Sequence, residues 1–80
     1  MLRKRTNFLR EFRRRKGLSA YDLQLLSNIP AYVIYRIERG LAKPKHFERA
    51  FLAAAIGAPE EEIFPKNVQV ELIIENKVDD

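Results

Sequence analysis

Apolar residues recur at helical spacing through most of the chain, and residues that cap or end helices divide them into short segments. In the first segment Leu9 and Phe12 lie between Thr6/Asn7, either of which can cap a helix N-terminus, and Gly17, which can end a helix. This pattern predicts helix 1 over about residues 7–16.

A second helix is predicted to open at Ser19 and to end near Ser27. Asp22 follows Ser19 by three residues, which gives a pattern similar to a capping box. Leu23 and Leu26 are expected to face inward from this helix.

A short turn and a third helix come next. Asn28 tolerates the left-handed backbone of a tight turn, and Pro30 supplies a preset φ for the first turn of helix 3, predicted at about residues 30–39. Between Gly17 and Gly40, two short helices joined by a tight turn have the spacing of a helix-turn-helix. The second helix of that motif can enter a DNA major groove.

The phase of helix 3 separates a core face from an outer face. At 100° per residue, Ile34 and Ile37 point to the core and Glu38 borders it. The opposite face holds aromatic and basic residues suited to bases and phosphates: Tyr32, Tyr35, Arg36 and Arg39. The alternative is that the two tyrosines pack on a neighbouring helix.

Two more helices complete the predicted fold. A basic connector with Lys43 and Lys45 precedes an alanine-rich helix 4 over about residues 46–56, which stops at Gly57. Pro59 and three glutamates mark the first turn of a short helix 5, from which Ile63 and Phe64 can close the core. We therefore expect an all-α fold, a compact five-helix bundle.

The C-terminal residues follow a different period. Apolar residues alternate with mostly polar ones over residues 68–75, which predicts a β-strand. An isolated strand leaves its backbone groups unpaired, so we expect it to pair with the same strand of a second chain. The alternative is that the segment folds back on its own bundle or stays disordered. The expected dimer contacts are Val68, Val70, Leu72 and Ile74.

Charge divides the chain at about the same place. Residues 1–56 hold 13 Lys/Arg against four acidic residues, a net of +9, whereas residues 57–80 hold two against seven, a net of −5. A basic body favours a polyanionic partner such as duplex DNA. Taken alone, the basic run at residues 13–16 can also be an ordinary solvated helix face.

Composition argues against several other classes of protein. With no cysteine and a single histidine, His46, the chain lacks the ligands of a usual metal site, and no cofactor or small-molecule ligand is expected. No motif places a nucleophile or a carboxylate beside His46, so an enzyme is not expected. Residues 7–16 are too charged for an export segment and no stretch is long enough to span a membrane, which favours a cytoplasmic location.

Several short motifs together resemble a known family. They are Arg-Arg-Arg-Lys-Gly-Leu-Ser at residues 13–19, Asp-Leu at 22–23, Ile-Tyr-Arg-Ile-Glu-Arg-Gly at 34–40, Pro44 and Gly57. Over about residues 7–65 the chain is similar to the lambda-repressor-like (Cro/xenobiotic-response-element type) helix-turn-helix family. The resemblance implies a five-helix bundle, with helix 3 in the major groove and helix 2 crossing the DNA backbone. It also implies an ion pair between Arg13 and Glu38.

Three residues depart from the family pattern. Gln24 stands where the family favours a small residue, Asn28 where it favours glycine, and Pro30 where a capping serine or threonine is common.

These observations predict a sequence-specific DNA-binding regulator, repressor-like and dimeric, with a DNA-binding domain over residues 1–66 and a C-terminal arm over 67–80. The alternative is a related module, such as an antitoxin-like partner, that binds a protein rather than DNA. The expected DNA contacts are Ser19, Tyr21, Ala31, Tyr32, Tyr35, Arg36, Arg39, Lys43 and Lys45.

Overall fold

Five α-helices make up the fold of residues 7–66, the part of the chain that the computed structural model describes. They are α1 (Leu9–Arg15), α2 (Ala20–Ser27), α3 (Ala31–Glu38), α4 (His46–Ile56) and α5 (Glu60–Ile63). α2 packs against both α3 and α4, α4 packs against α5, and α1 packs against α3. The all-α prediction is confirmed for these residues. The strand predicted at residues 68–75 lies outside them, as do Val68, Val70, Leu72 and Ile74.

The start of α1 is tied to two distant parts of the fold. The Asn7 side chain is buried; its Oδ1 accepts the Leu9 N–H (3.0 Å) and its Nδ2 donates to the Ile37 carbonyl (3.0 Å). The Phe8 N–H donates to the Ile63 carbonyl (2.8 Å). The N-cap residue of α1 is Phe8, and Asn7, one residue before it, satisfies the first N–H of the helix and joins the helix to α3.

Both ends of α2 form as the sequence predicts. Ser19 Oγ accepts the Asp22 N–H and Asp22 Oδ2 accepts the Ser19 N–H, each at 2.9 Å, which completes a capping box. At the other end Asn28 has φ 65°, the left-handed conformation expected of it.

One prediction about α2 is wrong. Leu26 was expected to face inward, but it is 60% exposed. The buried face of α2 runs through Ala20, Leu23 and Ser27, a stripe that continues four residues after Leu23 rather than three. Ser27 is tolerated there because its Oγ donates to the Leu23 carbonyl (2.6 Å) and accepts the Ile29 N–H (3.2 Å).

α3 begins without a side-chain cap of its own. Its N-cap residue is Pro30, which has no side-chain acceptor, so Gln24 of α2 fills that place with Oε1 accepting the Ala31 N–H at 2.7 Å. Ile34, Ile37 and Glu38 are buried, as the helical phase predicts.

The core lies where the helices meet, and its fully buried side chains come from all five of them. The core residues are Leu9, Ala20, Leu23, Ile29, Ile34, Ile37, Leu52, Ala53, Ile56 and Ile63.

Arg49 joins α4 to α5 and to the connector. Its Nε lies 3.1 Å from Glu60 Oε2, and its Nη1 donates to the Pro44 carbonyl at 3.1 Å. Glu48, near the start of the same helix, accepts the Lys45 N–H at 2.8 Å. The connector is therefore fixed at the point where it enters α4.

Candidate nucleic-acid interface

The outer face of α3 carries the aromatic and basic residues that the sequence places there. Tyr32, Tyr35, Arg36 and Arg39 are all exposed, and their spacing keeps them on one stripe of the helix. Tyr32 is the most open of the tyrosines at 69% exposed. Ala31, at the start of the helix, is half-buried. This stripe, residues 32, 35, 36 and 39, is called the α3 outer face from here on.

Tyr35 differs from Tyr32 in its surroundings. The guanidinium carbon of Arg13 lies 6.0 Å from the centroid of the Tyr35 ring, within cation–π range, and Tyr35 is 46% exposed. The Tyr35 ring therefore lies beside Arg13 of α1, whereas Tyr32 is more exposed.

A buried ion pair holds α3 against α1 behind that face. Arg13 Nε lies 2.6 Å from Glu38 Oε2, and Arg13 Nη2 donates to Glu38 Oε1 at 3.2 Å. The Arg13 side chain is 10% exposed and the Glu38 side chain 3%. The pair that the family resemblance implies is thus present and bidentate.

The remaining donor of Arg13 is also used, since Nη1 donates to the Leu18 carbonyl at 3.0 Å. Hydrogen bonding to Glu38 raises the pKa of Arg13 above its ordinary value, against the opposing effect of burial. A guanidinium with a raised pKa stays protonated at every ordinary pH, so the positive partner of the pair is permanent.

The first residues of the connector after α3 hydrogen-bond back to the helix, and two exposed lysines follow them. Gly40 has φ 76°, and the N–H groups of Leu41 and Ala42 both donate to the Arg36 carbonyl, at 2.8 and 3.2 Å. Lys43 and Lys45 follow and are exposed. Two exposed lysines thus lie in a connector that is fastened at the C-terminal end of the α3 outer face.

The side chain of Arg36 follows the same connector. Its Nη2 lies 3.5 Å from the Leu41 carbonyl, at the limit of hydrogen-bond distance. A contact this long is easily given up, so the guanidinium can extend toward a ligand on the outer face.

The start of α2 offers a second set of donors. Ser19 and Tyr21 are both exposed there. Because Ser19 Oγ accepts the Asp22 N–H, the hydroxyl hydrogen is left to donate to an external acceptor. The Asp22 carboxylate lies in the same turn, where its Oδ2 accepts the Ser19 N–H.

Not all of the basic residues counted in the sequence are available for a polyanion. Arg13 is paired with Glu38 and Arg49 with Glu60, and the Arg15 guanidinium carbon lies 4.8 Å from the centroid of the Phe12 ring. The contact of Arg15 with Phe12 is consistent with the interpretation of the basic run at residues 13–16 as an ordinary helix face. Lys43 and Lys45 of the connector, in contrast, are exposed.

Three polar residues join one element of the fold to another, and the sequence did not predict that they do so. Asn7 was read as a cap, Gln24 as a departure from a family pattern, and Arg49 as one of many basic residues. Each bonds across to another element: Asn7 to α3, Gln24 to the start of α3, and Arg49 to α5. Only the tertiary structure brings these partners together, and no sequence spacing signals them.

Within residues 7–66, no cluster of three or more histidine, cysteine or acidic side chains could hold a metal ion. Over the same residues no helix has the length and apolar character needed to cross a membrane. Comparison with known proteins finds no matching family model, curated protein or solved structure.

Proposed function

We propose that the chain is a sequence-specific double-stranded DNA-binding transcriptional regulator, repressor-like in its action. In this proposal α2, the turn at residues 28–30 and α3 form a helix-turn-helix, with α3 in the major groove. The observation that carries the proposal is the α3 outer face: it exposes two tyrosines and two arginines, while Ile34, Ile37 and Glu38 on its other side are buried.

Each contact has a distinct role in the proposal. Arg36 and Tyr32 contact base edges, since arginine can bind guanine bidentately and an aromatic ring can meet a thymine methyl group. Lys43, Lys45, Ser19 and Tyr21 contact phosphates and set the register of the protein on the duplex. Ala31 and Tyr35 lie along the same helix and complete the groove-facing surface, and Arg39, at the C-terminal end of that helix, is proposed to contact a phosphate beside the connector.

Arg36→Ala is expected to weaken binding to the preferred site by about 1 to 3 kcal/mol and to relax one base position. Lys43→Ala, the matched control, is expected to weaken binding to all duplexes alike because it removes only a phosphate contact. Electrophoretic or fluorescence titrations against the preferred and a scrambled duplex measure both. Equal losses on the two duplexes for Arg36→Ala would show that Arg36 does not read bases.

The proposed assembly is a homodimer on a two-fold symmetric site. In this proposal residues 68–75, predicted from the sequence to form a strand, would present an apolar face of Val68, Val70, Leu72 and Ile74, and pairing with a second copy would satisfy the backbone groups of that strand. Such a dimer would set two copies of α3 near one turn of DNA apart, roughly 34 Å.

Light scattering of the full chain and of a chain ending at Lys66 tests this dimer. The described fold closes within the shorter chain, because Phe8 bonds to Ile63, so the shorter chain is expected to remain folded and become monomeric. If both chains are monomers at tens of micromolar, the dimer is excluded. If both chains are dimers, the dimer contact lies outside residues 67–80.

A second function is favoured by one specific observation. Leu25 on α2 and Phe47 and Phe51 on α4 are largely exposed, and the two phenylalanine rings meet edge to face with centroids 5.7 Å apart. Large exposed apolar side chains occur at protein contacts. A module that binds a protein through these side chains and Tyr32, such as an antitoxin-like partner, is therefore the alternative.

A further inference from the structure

The Gln24–Ala31 hydrogen bond joins two of the three departures from the family pattern. At the start of any α-helix the first N–H groups have no carbonyl within the helix to bond to, and a serine or threonine at the N-cap commonly accepts one of them. Here the N-cap is Pro30, and α3 has no side-chain cap of its own.

Gln24 reaches this place from the neighbouring helix. Its Oε1 accepts the Ala31 N–H at 2.7 Å, across a sequence separation of seven residues, and Gln24 is partly buried there. A small residue at position 24 could not span that gap. The large residue in α2 and the proline before α3 therefore compensate for one another.

The Gln24–Ala31 bond holds the N-terminal end of α3, and a different side chain holds the C-terminal end. α3 is eight residues long, so its N-terminal end lies about 10 Å from its C-terminal end, where Glu38 is held by Arg13. Arg13 anchors only the C-terminal end. Of the polar side chains that hold α3, Gln24 acts at the N-terminal end, next to Ala31 and Tyr32.

We propose that Gln24 is a positioning residue for DNA recognition: by capping α3 from α2, it sets the pose of the N-terminal turn of α3 that presents Tyr32 to the bases. This inference rests on the proposed function. It assigns to a helix 2 residue, with no DNA contact of its own, control over the specificity of helix 3.

The capping half of the proposal is tested without DNA by amide hydrogen exchange measured by NMR. In Gln24→Met, a side chain of similar length with no acceptor oxygen, the Ala31 N–H loses its partner and is expected to exchange at least about fivefold faster. The Ile34 N–H, which bonds to the Pro30 carbonyl at 3.0 Å, is the internal reference and is expected to change little. Gln24→Glu keeps an acceptor oxygen and is expected to protect Ala31 as the wild type does.

The positioning half is tested on two duplexes, the best one recovered from a random-sequence pool and one of mixed sequence. Gln24→Met is expected to lose at least about fivefold more affinity for the recovered duplex than for the mixed one. Adding Pro30→Ser supplies an N-cap hydroxyl that can accept the N–H of Tyr32 or Val33 in the same turn, and it is expected to recover much of that difference by fixing the turn from within α3. A residue that merely stabilised the domain would lower both affinities equally.

Three results for Gln24→Met would overturn the inference. The first is unchanged exchange of the Ala31 N–H, and the second is faster exchange of that N–H with unchanged selectivity between the two duplexes. The third is uniformly faster exchange of all core amides together with equal losses of affinity for both duplexes. If the wild-type chain recovers no duplex from the pool, the proposed function fails, and the role of Gln24 in DNA recognition fails with it. The exchange measurement still decides whether Gln24 caps α3.

Discussion

Glu38→Ala is expected to destabilise the domain by about 3 to 5 kcal/mol, because it leaves the Arg13 guanidinium buried without its partner. The Arg13 and Glu38 side chains are 10% and 3% exposed, and two hydrogen bonds join them at 2.6 and 3.2 Å. Small domains have a total stability of only about 5 to 15 kcal/mol. In a domain of this size, each kcal/mol corresponds to roughly 4 to 8 °C in Tm, so the loss is expected to exceed about 12 °C.

The same fold contains a matched control. Arg49 and Glu60 form an ion pair at 3.1 Å whose side chains are 30% and 35% exposed. Pairs open to solvent contribute about 0 to 1 kcal/mol, so Glu60→Ala is expected to shift Tm by only a few degrees. Thermal melting followed by circular dichroism compares the two variants. Equal Tm values for Glu38→Ala and Glu60→Ala would contradict the burial of the Arg13–Glu38 pair.

A double replacement separates an uncompensated charge from lost packing. Arg13→Met combined with Glu38→Leu removes both charges together, and apolar replacements of whole buried pairs are often neutral or stabilising. We expect this variant to melt well above Glu38→Ala. A double variant that is less stable than either single one would show that the hydrogen bonds of Arg13, including that to Leu18, matter more than the unpaired charge.

Binding to duplex DNA is expected to weaken roughly a thousandfold between 50 and 200 mM salt if about six phosphates are neutralised. Lys43, Lys45 and Arg39 are exposed, and in a dimer they supply six such charges. Each neutralised phosphate releases condensed counterions, so the logarithm of the affinity falls linearly with the logarithm of the salt concentration. A partner protein held by Tyr32 and Phe51 would show a much weaker dependence.

Two lysine variants make the salt titration specific to the connector. Lys43→Ala is expected to reduce the salt slope. Lys16→Ala is the control. The Lys16 ammonium lies near Gly57, at the C-terminal end of α4, whereas Lys45 lies at the N-terminal end of that helix. The helix between them is about 16 Å long. Lys16→Ala is expected to leave the slope nearly unchanged. A flat titration for the wild type, or equal effects of the two variants, would exclude the connector as the phosphate contact.

Local signals in the sequence predicted much of the fold. Ser19 and Asp22 form the capping box, Asn28 adopts the left-handed conformation, and Ile34 and Ile37 are buried. In each case the determining chemistry lies within a few residues of the chain: a side chain that reaches a nearby N–H, or the 100° advance of a helix. The α3 outer face was predictable for the same reason.

Contacts between helices were not predictable in the same way. The phase of α2 allowed Leu26 to face inward, but α2 packs between α3 and α4 through the stripe that contains Ser27. The bond from Gln24 to Ala31 depends on the angle at which α2 meets α3, and that from Asn7 to Ile37 on the packing of α1. Helical periodicity gives the faces of one helix and leaves open which neighbour meets each face.

Selection of bound duplexes from a random-sequence pool by the full chain tests the central proposal, that α3 reads DNA sequence, most directly. The proposal predicts enrichment of one motif with two related half-sites about one helical turn apart. It also predicts that the pool enriched by Arg36→Ala has lost its preference at one base position of each half-site. No enriched motif, or an identical motif from Arg36→Ala, would contradict the proposal.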